Sequence, residues 1–77
     1  MQKTASGTIP TAGRTIATDV SVIPFGTVVY IDGHEFVAED RGGAVRGNHI
    51  DRYFNTHREA WDFGRQTVEV FIKNPNY

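Results

Sequence analysis

The chain reads as a small, mainly β domain, a β-barrel carrying one short helix. Runs of β-branched and aromatic residues recur along it, separated by glycine-bearing turns. Helix-terminus chemistry occurs around residues 56–64 alone, and nothing alternates strand with helix as a parallel βαβ fold would.

The elements follow in order. Residues 1–13 (MQKTASGTIPTAG) show no clean period and read as an extended arm or loop. Residues 14–18 (RTIAT) form a short strand candidate. Pro24 presets φ and Gly26 permits a positive φ, so residues 23–26 turn the chain into residues 27–31 (TVVYI), the strongest strand signal present. Asp32-Gly33 then separates that run from residues 35–38, which is the two-residue pattern of a type I′ hairpin between antiparallel strands.

Residues 41–48 (RGGAVRGN) hold three glycines and predict a sharply bending loop on a functional rim. Thr56 followed by Glu59 is a capping box, and Gly64 stands where a helix would end, which predicts a helix over 57–63. Residues 66–72 (QTVEVFI) alternate, placing Val68, Val70 and Ile72 on one face of a closing strand.

A chain of 77 residues with 39 % hydrophobic and 22 % charged residues is one folded domain, 1–77, whose core is small. The net charge of −1 offers no electrostatic footprint for nucleic acid or an anionic membrane surface. No apolar run approaches the roughly 20 residues that span a bilayer, so no membrane insertion is expected. The opening MQKTAS is not a signal peptide. With no cysteine there is neither a disulfide framework nor a Cys-based metal or redox site.

Three aspartates stand out: Asp19 in TDVSVIPFGT, Asp40 in AEDRGGAVRG and Asp51 in NHID. Each ends an apolar or β-rich run, so neighbouring strands would bring all three to one rim. Carboxylates placed close together push their pKa values apart, which suits glycoside cleavage.

The ordered set TD-x4-P-x-GT, AED-x-GGA-x-x-G and ID resembles the 3D domain, named for its three aspartates and found in cell-wall enzymes and stationary-phase survival proteins. The likeness runs from about Thr4 to Ile72. The segment from Asp40 to Asp51 is also similar to the catalytic domain of membrane-bound lytic transglycosylase A. That resemblance implies a double-psi β-barrel with a peptidoglycan-binding cleft, acting outside the cytoplasm, in the cell wall or secreted, with no cofactor. It implies Asp51 as the catalytic acid and Asp40 and Asp19 as partners that raise its pKa and hold its geometry. Substrate contacts would fall on Thr18, Thr27, Gly42, Gly43 and Arg46.

The implied reaction cleaves the β-1,4 bond between N-acetylmuramic acid and N-acetylglucosamine. Asp51 protonates the glycosidic oxygen, then accepts the proton of the muramic C6 hydroxyl as the sugar closes to a 1,6-anhydro product. The sequence departs from the family pattern in two respects. Arg41 and Arg46 replace the usual Thr and Lys, and the extended first strand of the family precedes the position where this chain begins. A missing strand would leave an open edge, from which a homodimer is expected.

A non-catalytic carbohydrate-binding module fits the same motifs. An aspartic protease fits less well, because Asp40-Arg41-Gly42 lacks the hydroxyl residue of that dyad. His34, His49 and His57 lie in unrelated contexts without ligand spacing and are read as surface residues, so no metal site is expected. Tyr53, Trp61 and Phe63 are candidates to stack on sugars. Trp61 and Phe63 fall on the expected helix, where core or helix packing is the reading adopted.

Overall fold

A computed structural model describes residues 2–73. It contains β1 (Thr15–Thr18), β2 (Val28–Ile31), β3 (His34–Asp40), β4 (Ile50–Arg52), α1 (His57–Phe63) and β5 (Phe71–Ile72). The strands form one sheet in the order β4-β1-β3-β2-β5, with β1 parallel to β3 and the other pairs antiparallel. The domain is thus mainly β with one short helix, as expected. Among the described residues β4 and β5 are the ends of the sheet and do not pair with each other.

The β2–β3 hairpin forms for the reason the sequence offers. Asp32 (φ 52°) and Gly33 (φ 75°) both take left-handed backbone conformations, and Ile31 pairs with His34 across them. Alternation then sends Val29, Ile31, Phe36 and Ala38 inward, where they meet Ile16 and Ile23 in a core whose members are all buried.

One irregularity shapes the end of the sheet that carries Asp40. Ile16 pairs with Ala38 but Ala17 pairs with Asp40, so Glu39 is an extra residue on β3. This β-bulge breaks the alternation and re-aims the strand. The displaced Glu39 side chain is buried, and its two oxygens accept from the Thr15 hydroxyl (2.8 Å) and from Arg14 (3.0 Å). A buried carboxylate is tolerable only when so paired.

Helix α1 spans the expected residues with the expected caps. The Thr56 hydroxyl accepts the Glu59 N–H at 3.1 Å, and Gly64, at φ 68°, donates its N–H to Ala60 O. The helix buries no residue. It is attached through Phe63, whose ring lies 5.3 Å from Phe54 and 4.6 Å from the Arg52 guanidinium. The same guanidinium stands 4.7 Å from Phe36, at the core, and 5.2 Å from Phe54.

Three expectations need correction. The closing strand is two residues long, not seven, because only Phe71 and Ile72 pair, with Tyr30 and Val29. Val68, Val70 and Ile72 do share one side, where they line an apolar groove of about 310 Å³ with Ile23 and Ile50. Residues 50–52 are a strand that sequence patterning missed, so Asp51 sits in the middle of a strand and not past its end. Trp61 is 84 % exposed and takes no part in helix packing, since α1 meets the sheet through Phe63 instead.

Candidate functional site

The site is built around Ala17, in the middle of the sheet. On one side Ala17 pairs with Asp40 of β3, on the other with Asp51 of β4. The two aspartates therefore flank a residue too small to separate them, two strand spacings of about 4.8 Å apart. Thr18 and Asp19 follow immediately, so all three aspartates gather at the C-terminal end of β1. The bulge at Glu39 is what brings Asp40, and not its neighbour, opposite Ala17.

Their surroundings differ. Asp19 is tied to backbone on two sides. Its Oδ1 accepts the Ser21 hydroxyl (2.7 Å) and the Ser21 N–H (3.0 Å), and its Oδ2 accepts the Gly47 N–H (2.8 Å). These bonds, with the Ser21 hydroxyl foremost and Arg46 adding attraction, lower its pKa from 3.8 to about 2. Asp19 is thus a fixed carboxylate that clamps the glycine-rich loop to the end of β1.

Asp40 accepts the Arg41 N–H and, from the N-terminal arm, the Ala5 N–H, both at 2.9 Å on Oδ1. The arm is held there by Ser6, whose N–H and hydroxyl both donate to Glu39 O. Residues 4–8, expected as loop, form a hydrogen-bonded turn beside the second aspartate. Asp51 is the contrast: it is exposed, and among the described residues nothing hydrogen-bonds its carboxylate.

The remaining expected contacts divide. Thr18, Gly42, Gly43 and Arg46 line one cleft of about 400 Å³ together with Asp19 and Arg41. The Thr18 side chain is buried, and its hydroxyl donates to Ile23 O at 2.7 Å, so it serves the turn after β1. Thr27 lies outside this cleft, where its carbonyl accepts the Ala38 N–H at 2.9 Å. Neither Asp40 nor Asp51 lines the cleft, which adjoins the aspartate row through Asp19.

Sequence reasoning missed Glu39 and Arg52. A Glu beside Asp40 signals nothing until the bulge buries it. Arg52 is partly buried, and its Nε is buried without a hydrogen-bond partner among the described residues, so the three rings around it do the holding. His34 is a structural residue: its Nε2 is hydrogen-bonded to Gly13 O at 2.6 Å, and its ring leans on Phe36. Among the described residues no group of three or more His, Asp or Glu side chains is placed to hold a metal ion.

Residues 14–74 match the model of the 3D domain. The chain belongs to the 3D domain family. This 3D domain is 42 % identical to the cell wall-binding protein YocH of Bacillus subtilis (strain 168) over 62 residues, covering 79 % of this chain and 22 % of YocH. It is 39 % identical to the putative cell wall shaping protein YabE of the same organism, over 79 % of this chain and 15 % of YabE. A third relative, the SPbeta prophage-derived uncharacterized protein YorM, is also 39 % identical, over 74 % of this chain and 26 % of its own length. The 3D domain thus spans about a quarter or less of each of these relatives. No helix among its described residues is long and apolar enough to cross a membrane.

Proposed function

We propose that this 3D domain acts on bacterial peptidoglycan as a lytic transglycosylase, with Asp51 as the acid and base. The observation that carries the reading is the division of labour in the aspartate row. Asp19 and Asp40 are hydrogen-bonded to backbone, whereas Asp51, across Ala17 from Asp40, is open to a substrate. Membership of the family and two relatives named for the cell wall support peptidoglycan as the partner.

Asp51 would donate its proton to the glycosidic oxygen and then, as carboxylate, take the proton of the muramic C6 hydroxyl as C6–O bonds to C1. Asp19, charged at neutral pH, would hold the loop that forms one wall, and Asp40 would hold the arm. One carboxyl serves both half-reactions, so no second catalytic carboxylate at a hydrolase's spacing is required.

The name of YocH favours a second reading, a wall-binding module without chemistry. Incubation with purified peptidoglycan separates the two: anhydromuropeptides, lighter by one water than hydrolysis products and resistant to borohydride, support the enzyme. Binding without soluble product supports the module, and reducible muramic ends would mean hydrolysis. Pairing of two copies at the open edges, β4 or β5, would give a homodimer. Light scattering that returned only a monomeric mass would exclude it.

A further inference from the structure

The cleft beside the aspartate row carries a charge that glycan cleavage does not use. Its walls are the end of β1 at Thr18 and Asp19 and the loop that begins at Arg41 and returns at Arg46. Two arginines and one aspartate are among its lining residues. The aspartate's carboxylate is already occupied, since Asp19 accepts three hydrogen bonds from Ser21 and Gly47.

The arginines are not so occupied. The ion pairs among the described residues are Arg14 with Glu39 and Arg58 with Asp62, so neither Arg41 nor Arg46 has one, and Arg46 attracts the Asp19 carboxylate only from beyond contact distance. Arg46 donates its Nε to Gly43 O at 3.1 Å, which holds the side chain across the loop and commits neither terminal nitrogen. A Cβ added at Gly43 would meet nothing within 4 Å, so this part of the loop presents bare backbone to solvent. Two arginines on the walls of a cleft that also includes this glycine loop supply the kind of planar fork that takes an oxyanion in a bidentate grip.

We propose that Arg41 and Arg46 form a subsite for carboxylates borne on the glycan strand. The inference rests on the peptidoglycan reading and deepens it. The disaccharide backbone offers hydroxyls and acetamides, which are neutral. Its anionic groups are the lactyl carboxylate, free where the stem peptide has been removed, and the carboxylates of the stem itself. Asp19 is two residues from Ala17, about 7 Å along an extended strand, so the cleft lies within reach of a substituent on a sugar held over the aspartate row. The subsite makes the domain selective for muramic-containing strands over uncharged N-acetylglucosamine polymers.

The test measures binding by full-length chain carrying Asp51→Asn, so that strands are not consumed, with and without Arg41→Gln and Arg46→Gln together. The probes are glycan strands with intact stems, strands stripped of stems by an amidase, both kinds with carboxyls capped by methylamine, and neutral N-acetylglucosamine oligomers. Loss of two charge-assisted contacts should weaken binding to carboxylate-bearing strands about tenfold or more and leave the neutral oligomers unaffected. A loss confined to intact strands assigns the stem carboxylates, a loss confined to stripped strands assigns the lactyl group, and a loss on both means that the subsite takes either carboxylate. Equal binding of capped and uncapped strands by the arginine-containing protein overturns the subsite, and this arm stands even if the double variant does not fold. Tighter binding to a phosphodiester wall polymer than to any carboxylated strand also overturns it. Failure to bind any glycan would instead remove the peptidoglycan reading beneath it.

Discussion

Asp19 Oδ2 accepts the N–H of Gly47, 28 residues away, at 2.8 Å, and so ties the loop of residues 41–47 to the end of β1. Its other oxygen holds Ser21, which makes one carboxylate the junction between the turn that follows β1 and the glycine-rich loop.

That junction should be visible in the pH dependence of folding. Folded Asp19 titrates near 2 against an ordinary 3.8, so the native state favours the charged form. The resulting stability is present above the ordinary value and is lost as pH falls from about 3.8 toward 2. Asp19→Asn, which cannot accept at both positions, should melt lower at neutral pH and show a flatter acid limb. Thermal midpoints measured down that range check it, and parallel curves for the two proteins would contradict the assignment.

Asp51→Asn should leave folding intact, because the side chain is exposed and nothing among the described residues leans on it. Removal of a general acid costs about 10²–10⁴ in rate. Mass analysis of muropeptides released by the two proteins measures the loss. Wild-type release by a folded Asp51→Asn variant would move the acid to Asp40.

Arg52→Ala should destabilise the fold by about 1–3 kcal/mol, since it removes both the guanidinium among three rings and the apolar stem below it. Arg52→Met keeps the stem and relieves the buried, unpartnered Nε, so it should fall between alanine and the wild type. Urea midpoints rank the three. An alanine variant with an unchanged midpoint would show that the guanidinium among the three rings does not stabilise the sheet.

Thr56→Ala removes a cap worth about 1 kcal/mol, but α1 buries no residue, so the loss should stay local. Far-UV circular dichroism should lose helix signal while the global transition barely moves. Ile16→Ala, in contrast, empties a site that is 0 % exposed and should lower the global transition by about 2–5 kcal/mol.

Much of this architecture was legible along the chain because its causes are local. Thr56, Glu59 and Gly64 specify α1 through bonds that span at most four residues. Asp32 and Gly33 specify the hairpin through their own backbone angles. The three aspartates could be picked out through motifs that resemble a family.

The arrangement of the site was decided elsewhere. The short β4 has no periodicity to reveal it and exists because residues 50–52 find β1 as a partner. The closing strand alternates over seven residues yet pairs over two, since pairing needs a neighbour within reach as well as a pattern. Trp61 was expected inside and lies out, because Phe63 and Arg52 already fasten the helix. The placement of Asp40 opposite Ala17 follows from the bulge at Glu39, and the binding of Asp19 to Gly47 follows from the fold of a loop. Such contacts join residues far apart in the chain, and their geometry comes into being only when the strands meet.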